Sequence, residues 1–314
     1  MNVEITAQVA LLFAGVCGLL IFATVVGEYL RMRQPAGTSD PAVETYVTRV
    51  HGWWAMVILV SFALMLGRTA VILLFAFASF AALREFLTQT AKHRADHWAL
   101  IAAFYVIFPL QYFALWWGNA VVPSILVPVF AFLGLPMLSV LRGAGKRFLR
   151  RVAETQWALM ICVYCVSQVP ALMLLDTGDG RSLLLIAWLV LVVQLGDLAE
   201  YYAGRKIGRR RLAESVSPKT MEGALIGTAI AMLTGGLLSW ITPYGVLAAT
   251  GLAGFIFLIG LGGSLVLAAI KADLGVRNWG HLIPGQGGFV DQMDSVVFAA
   301  PVLFHLTRYF WGVA

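Results

Sequence analysis

Residues 246–270 read VLAATGLAGFIFLIGLGGSLVLAAI, an uninterrupted run without a single charged side chain. A helix rising about 1.5 Å per residue needs about 20 mainly apolar residues to cross the hydrocarbon core of a bilayer, so this run is long enough to span one. Working outward from it, similar stretches occur at 295–312, 223–240, 182–196, 155–175, 119–141, 99–117, 69–83, 53–66 and 7–28. The expected fold is therefore all-α, a polytopic membrane protein with about ten transmembrane helices. Composition agrees: 60% of the 314 residues are hydrophobic and only 12% charged, against about 45–50% and about 25% in an average soluble domain. So few charges could not cover a water-facing surface.

The basic residues give the chain a direction. With the N-terminus outside, 19 of the 22 Lys and Arg fall in the loops that would then face the cytoplasm, and only Arg68, Arg181 and Arg308 fall elsewhere. The positive-inside rule predicts that asymmetry, so both termini are expected outside (N-out/C-out). Topology and anionic headgroups account for the net charge of +6, and no nucleic-acid partner is implied. The first 30 residues hold no Lys or Arg, which argues against a cleaved secretory signal and for a retained first span. Eight of the ten Trp lie near span ends, where an aromatic belt would place them. Cys162 and Cys165 form a C-x-x-C inside a span, but no second pair or His completes a zinc site, and they read as small helix-packing residues.

No polar stretch is long enough for a soluble domain. Segment 29–52, with Pro35, Gly37, Ser39 and Pro41, reads as a linker after a separate anchor helix. The absence of an internal repeat and of charges at mid-span weighs against a transporter.

Two loops carry residues suited to chemistry. The first, Gly196 to Gly223, reads GDLAEYYAGRKIGRRRLAESVSPKTMEG. Ser217 followed by Pro218 predicts a helix start, a side-chain cap and then proline at the first helical position. That places Lys219, Thr220 and Glu222 in a first turn beside free backbone N–H groups, where phosphate binds readily. Taken alone, the segment is equally a capped membrane helix with a snorkelling lysine, and that is the favoured reading of it in isolation. The basic run Arg205 to Arg211 is a topology signal that could also hold a phosphate.

The second loop, Lys271 to Ser295, reads KADLGVRNWGHLIPGQGGFVDQMDS. Gly285, Gly287 and Gly288 allow close backbone turns whose N–H groups could face an anion. His281 lies in the same loop and could contact a phosphate, whereas His305 is expected to pack as a neutral imidazole in the last span. Asp291 and Asp294 share a helix face. Such a pair suits magnesium, which commonly binds through one or two carboxylates plus substrate phosphate; the alternative is favourable charge at a helix N-terminus, about 0.3–1 kcal/mol each. Acids, glycines and bases in one loop, opposite a second phosphate-compatible loop, favour phosphoryl chemistry.

At these loops the chain resembles the phosphatidate cytidylyltransferase (CDP-diacylglycerol synthase) family. That family ends in a signature S-x-x-K-R-x4-K-D-x-G-x-x-L-P-G-H-G-G-x-x-D-R-x-D-S, matched in register here by Lys271, Gly280, Pro284, Gly285, Gly287, Gly288, Asp291, Asp294 and Ser295. Its upstream stretch S-D-x-x-A-Y…G-R-x-x-G…S-P-K-K-T-x-E-G is matched by Asp197, Gly204, Arg205, Gly208, Ser217, Pro218, Lys219, Thr220, Glu222 and Gly223. ALREFL, from Ala82 to Leu87, looks like one bacterial branch. The resemblance runs from roughly residue 50 to the end. Where the family has Ser, Arg, Lys-Asp, His and Arg, this chain has Ala268, Ala272, Arg277-Asn278, Gln286 and Gln292, and Glu200 stands near a usually small residue.

The resemblance implies a CTP-transferase-like transmembrane domain over 51–314, preceded by an anchor and cytoplasmic linker over 1–50. It implies a multi-pass enzyme of the bacterial inner membrane, with its active loops cytoplasmic, converting CTP and phosphatidate (or a related lipid phosphate) to CDP-diacylglycerol and pyrophosphate. Asp291 and Asp294 would hold Mg2+ with Asp197 and Asn278 beside them, and Lys271, Lys219, Arg205 and Arg277 would neutralise phosphates. Thr220, Glu222, His281, Gly285, Gln286, Gly287 and Gly288 complete the implied substrate site, among membrane lipids; a homodimer is left open. Because the signature is altered, a diverged non-catalytic homologue binding nucleotide or lipid phosphate is the alternative, and a transporter ranks third.

Overall fold

The computed structural model describes residues 3–34, 41–90, 96–143, 145–176, 182–280 and 287–312. Ten helical rods follow one another: α1 (Val3–Met32), α2 (Pro41–Leu66), α3 (Arg68–Thr88), α4 (His97–Trp116), α5 (Val121–Leu141), α6 (Phe148–Leu174), α7 (Ser182–Ile207), α8 (Met221–Leu237), α9 (Val246–Leu274) and α10 (Phe289–Phe310). Among the described residues, nine are long and apolar enough to cross a membrane, and α8, at 17 residues, is the shorter tenth. The only β-pairing among them is an isolated bridge between Arg211 and Thr220. The protein is a multi-pass, all-α membrane protein, as its apolar runs predict.

Its outer surface is apolar. Phe22, Phe62, Leu141, Leu225 and Leu247 are among many large hydrophobic side chains left exposed, far beyond the patches a soluble monomer tolerates. Lipid is the medium that accepts them. The interior is close-packed around Trp188, Phe257, Phe304, Leu185 and Ile186, all fully buried. α7 packs against α8, α9 and α10, while α3 lies on α6 and α10; α1 packs on α2, and α2 on α3.

The α7–α8 crossing depends on glycine. A Cβ at Gly223 would lie 2.7 Å from the Glu200 carbonyl oxygen, and one at Gly227 would lie 2.8 Å from that of Gly196. Bare Cα atoms four residues apart on α8 thus let the two backbones touch, the device that membrane helices use in place of a hydrophobic driving force.

α4, α5 and α6 each contain one widened π turn, at Ala103–Ile107, Leu126–Ala131 and Met160–Cys165. The last holds the C-x-x-C pair. Both cysteines are free and buried, and the Cys162 carbonyl accepts a hydrogen bond from Ser79 Oγ of α3. They are packing residues, as expected.

Three differences from the sequence reading at helix ends relocate predicted residues or segments. α7 continues eleven residues past 196 to Ile207, so Asp197, Glu200 and Arg205 stand on a helix rather than in a loop. α2 begins at Pro41 and runs unbroken through residue 50, which shortens the expected linker. The predicted start at Ser217-Pro218 is also displaced: α8 begins at Met221, and its cap is Thr220, whose Oγ1 accepts the Gly223 N–H at 3.2 Å. The reason is a tight hairpin. Leu212 N–H donates to the Lys219 carbonyl at 2.9 Å and Met221 N–H to the Arg210 carbonyl at 2.8 Å, which keeps 217–219 out of the helix. The Ser217 hydroxyl instead accepts the Lys219 N–H at 3.3 Å.

Candidate active site

Two acids one helical turn apart, Asp197 and Glu200, lie on one face of α7. The hairpin carries Lys219 to that face, where its Nζ stands 3.4 Å from Asp197 Oδ1 and 3.4 Å from Glu200 Oε2. Asp294, on the second turn of α10, is within electrostatic range of Asp197, Lys219 and Lys271. The two loops singled out in the sequence therefore meet. Burial works against the charge on Lys219, but the carboxylates of Asp197, Glu200 and Asp294 outweigh it and raise its pKa above the ordinary lysine value.

Beside this cluster lies a second one. Lys271, in the last turn of α9, pairs with Asp291 Oδ1 at 3.0 Å. The other oxygen of Asp291 accepts backbone N–H groups of Trp279 and Gly288, each at 3.0 Å. Asp291 thus ties both stems of the glycine-rich loop to the N-terminus of α10, which begins after Gly288. Gly287 has φ +91°, a left-handed conformation that L side chains rarely adopt.

The remaining predicted residues have other positions. Thr220 caps α8, and Glu222 Oε2 accepts the N–H groups of Arg209 and Arg210 at 3.0 and 3.2 Å, shaping the basic turn. Arg205 lies two turns beyond Asp197 and reaches Tyr201. Arg277 and Asn278 are exposed beside the cluster's second loop. His281, Gly285 and Gln286 lie outside the described residues. His305 is exposed on α10 rather than packed, and its Nε2 is 2.9 Å from the Tyr164 hydroxyl.

Two acids escaped the sequence reading as site residues. Glu200 stood out only as a departure from a motif, and its side chain is 5% exposed against Lys219. Glu85, in the last turn of α3, reaches the start of α10, where Val290 N–H lies 3.5 Å from its Oε2. The signal available was slight: Glu85 stands within the ALREFL match, and Glu200 lies three residues after Asp197, on the same face if the helix continues past 196.

A model of the cytidylyltransferase family matches residues 47–310. Uncharacterized protein YnbB of Escherichia coli (strain K12) is 33% identical over 96% of this chain and 98% of its own length. The phosphatidate cytidylyltransferase of Synechocystis is 38% identical over 35% of this chain and 38% of that enzyme. Phosphatidate cytidylyltransferase 4, chloroplastic, of Arabidopsis thaliana is 31% identical over 62% of this chain. These two enzymes are matched over 38% and 54% of their own lengths.

Proposed function

Since the chain belongs to the cytidylyltransferase family, we propose that it is a phosphatidate cytidylyltransferase. A phosphate oxygen of phosphatidate, or of a related lipid phosphate, attacks the α-phosphorus of CTP. The bond from that phosphorus to the bridging oxygen breaks, and pyrophosphate leaves. The observation that carries this reading is the convergence of Asp197, Glu200, Lys219 and Asp294 from α7, the hairpin and α10, beside the Lys271–Asp291 pair. The basic-loop asymmetry supports a cytoplasmic position for this end of the bundle, where CTP meets lipid headgroups.

Phosphoryl transfer of this kind depends on positioning and charge neutralisation. Lys219 and Lys271 provide two ammonium groups for phosphate oxygens. Each is held by acids in the resting structure, so a bound phosphate competes with a carboxylate already in place. Acids nonetheless outnumber bases in the cluster, so an anionic substrate calls for further positive charge.

The donor set bears on magnesium. Among the described residues no group of three or more His, Cys, Asp or Glu could hold a metal by itself. Asp291 has both carboxylate oxygens engaged by Lys271 and backbone N–H groups. Asp294 and Asp197 face one another electrostatically and fit the usual arrangement of one or two carboxylates completed by phosphate and water. These two are the residues that would hold Mg2+, with Asp291 organising the loop. When bound, the ion supplies positive charge to the phosphate oxygens around the reacting phosphorus.

The test is direct. Purified protein in lipid nanodiscs, given labelled CTP, phosphatidate and Mg2+, should yield CDP-diacylglycerol and pyrophosphate, and Asp294→Asn should abolish both. A second reading, nucleotide or lipid-phosphate binding without turnover, is favoured by Asn278 and Gln286 standing where the family has an acid and a histidine. CTP binding with no product in the wild type would select it.

A further inference from the structure

Glu85 lies on α3, 205 residues before Val290, yet its side chain sits between the two stems of the glycine-rich loop. A Cβ at Gly280 would lie 2.6 Å from Glu85 Oε1, and one at Gly288 would lie 2.3 Å from Glu85 Oε2. Any side chain at either stem would collide with the carboxyl group. Glu85 is buried at 6% exposure, and its Oε1 has no hydrogen-bond partner among the described residues. A buried carboxylate is costly unless it organises something. What it meets here is the N-terminal turn of α10, whose backbone N–H groups and helix dipole favour negative charge.

The neighbouring side chains of α3 act on the same stem. Phe86 stacks on the Trp279 ring with centroids 4.4 Å apart and planes 15° apart. Gln89 Nε2 donates to the Trp279 carbonyl at 3.4 Å. Asp291 in turn accepts the N–H groups of Trp279 and Gly288. Both stems thus meet two carboxyl groups, one from α3 and one from α10 itself.

We propose that Glu85 is a positioning residue of the nucleotide-transfer site, fixing the stems at Gly280 and Gly288 and, through Val290, the register of Asp291 and Asp294 against Lys271 and Lys219. Its effect on turnover rests on the function proposed above; its hold on the stems does not. Hydrogen exchange and kinetics separate the two. In full-length protein in nanodiscs, Glu85→Ala should speed exchange across 287–290 and at 279–280 about tenfold, the size expected for loss of a buried hydrogen bond. Exchange across 221–237 should stay unchanged. The kcat for CDP-lipid formation should fall about tenfold with KM for phosphatidate unchanged. Glu85→Gln, which keeps an oxygen to accept the Val290 N–H, should restore most of both.

Gly280→Ala gives an independent route, because its methyl group pushes the same carboxyl aside. It should reproduce the faster exchange, and the Glu85→Ala/Gly280→Ala double variant should be no worse than either single one. Wild-type exchange at the stems in Gly280→Ala, or in a folded Glu85→Ala, overturns the proposal. Faster exchange in a protein that never turns over CTP leaves Glu85 as the latch and rejects the enzymatic reading instead.

Discussion

Replacing Lys219 by Met removes one ammonium group from among three carboxylates. At 3.4 Å from both Asp197 and Glu200, each ion pair has a Coulomb energy of about 5 kcal/mol at an effective dielectric constant of about 20. Desolvation offsets much of this, and Lys219 and Asp197 retain 20% and 21% exposure. Breaking a fully buried pair costs about 3–5 kcal/mol, chiefly because the stranded charge remains. About 2–4 kcal/mol is therefore expected for Lys219→Met. Because the stranded charges cause the loss, Glu200→Gln in the same chain should recover about half of it. The sign of the pH dependence follows from the raised Lys219 pKa. Its contribution is complete below the unfolded lysine value of about 10.4, and is lost as pH rises from there through the higher folded value, so Lys219→Met should flatten the stability profile above about pH 10.4. Thermal unfolding in nanodiscs across pH, with all four members of the cycle, measures each quantity. Strict additivity of the two substitutions would refute the reasoning, as would an unchanged alkaline limb. In the CTP assay, losing a phosphate-binding ammonium should lower turnover about 100-fold or more.

Asp96 and Arg151 form a buried pair at 2.7 Å, each 7% exposed, with the Ser139 hydroxyl 3.4 Å from the other carboxylate oxygen. Asp96→Ala should destabilise the junction of α4, α5 and α6 by about 3–5 kcal/mol in thermal melts, with CTP kinetics per folded molecule little changed. Asp294→Asn should abolish turnover without altering exchange at the glycine-loop stems, whereas Asp291→Asn should loosen those stems; Asn278→Asp should preserve or raise turnover and steepen its magnesium dependence. A cysteine at the Lys206 position should react with an impermeant thiol reagent only from the cytoplasmic side, and labelling from outside would reverse the proposed topology.

The helix inventory was legible because it is a local matter. Backbone groups in lipid must be satisfied within their own segment, so the length of each apolar run already marks a rod, and every run read from the sequence is one. The residue types of the site were legible too, since Lys219, Lys271, Asp197, Asp291 and Asp294 stand in polar stretches where charge has no structural need. Partnership was not. The Ser217-Pro218 start looked sound by local rules, but cross-hairpin hydrogen bonds between 210–212 and 219–221 moved the cap to Thr220. Asp291 and Asp294 read as one pair, yet only the packing of α10 on α9 and α7 shows that Asp291 closes its own loop while Asp294 comes within electrostatic range of Asp197. Glu85 and Glu200 lay just past the ends of the expected spans, in stretches read as polar loops. Their meaning depends on Val290 and Lys219, which the chain brings to them only when α3 meets α10 and the hairpin folds over α7. Apolar burial carries a period that sequence records, whereas an ion pair between distant segments leaves no periodic trace and is decided by helix packing alone.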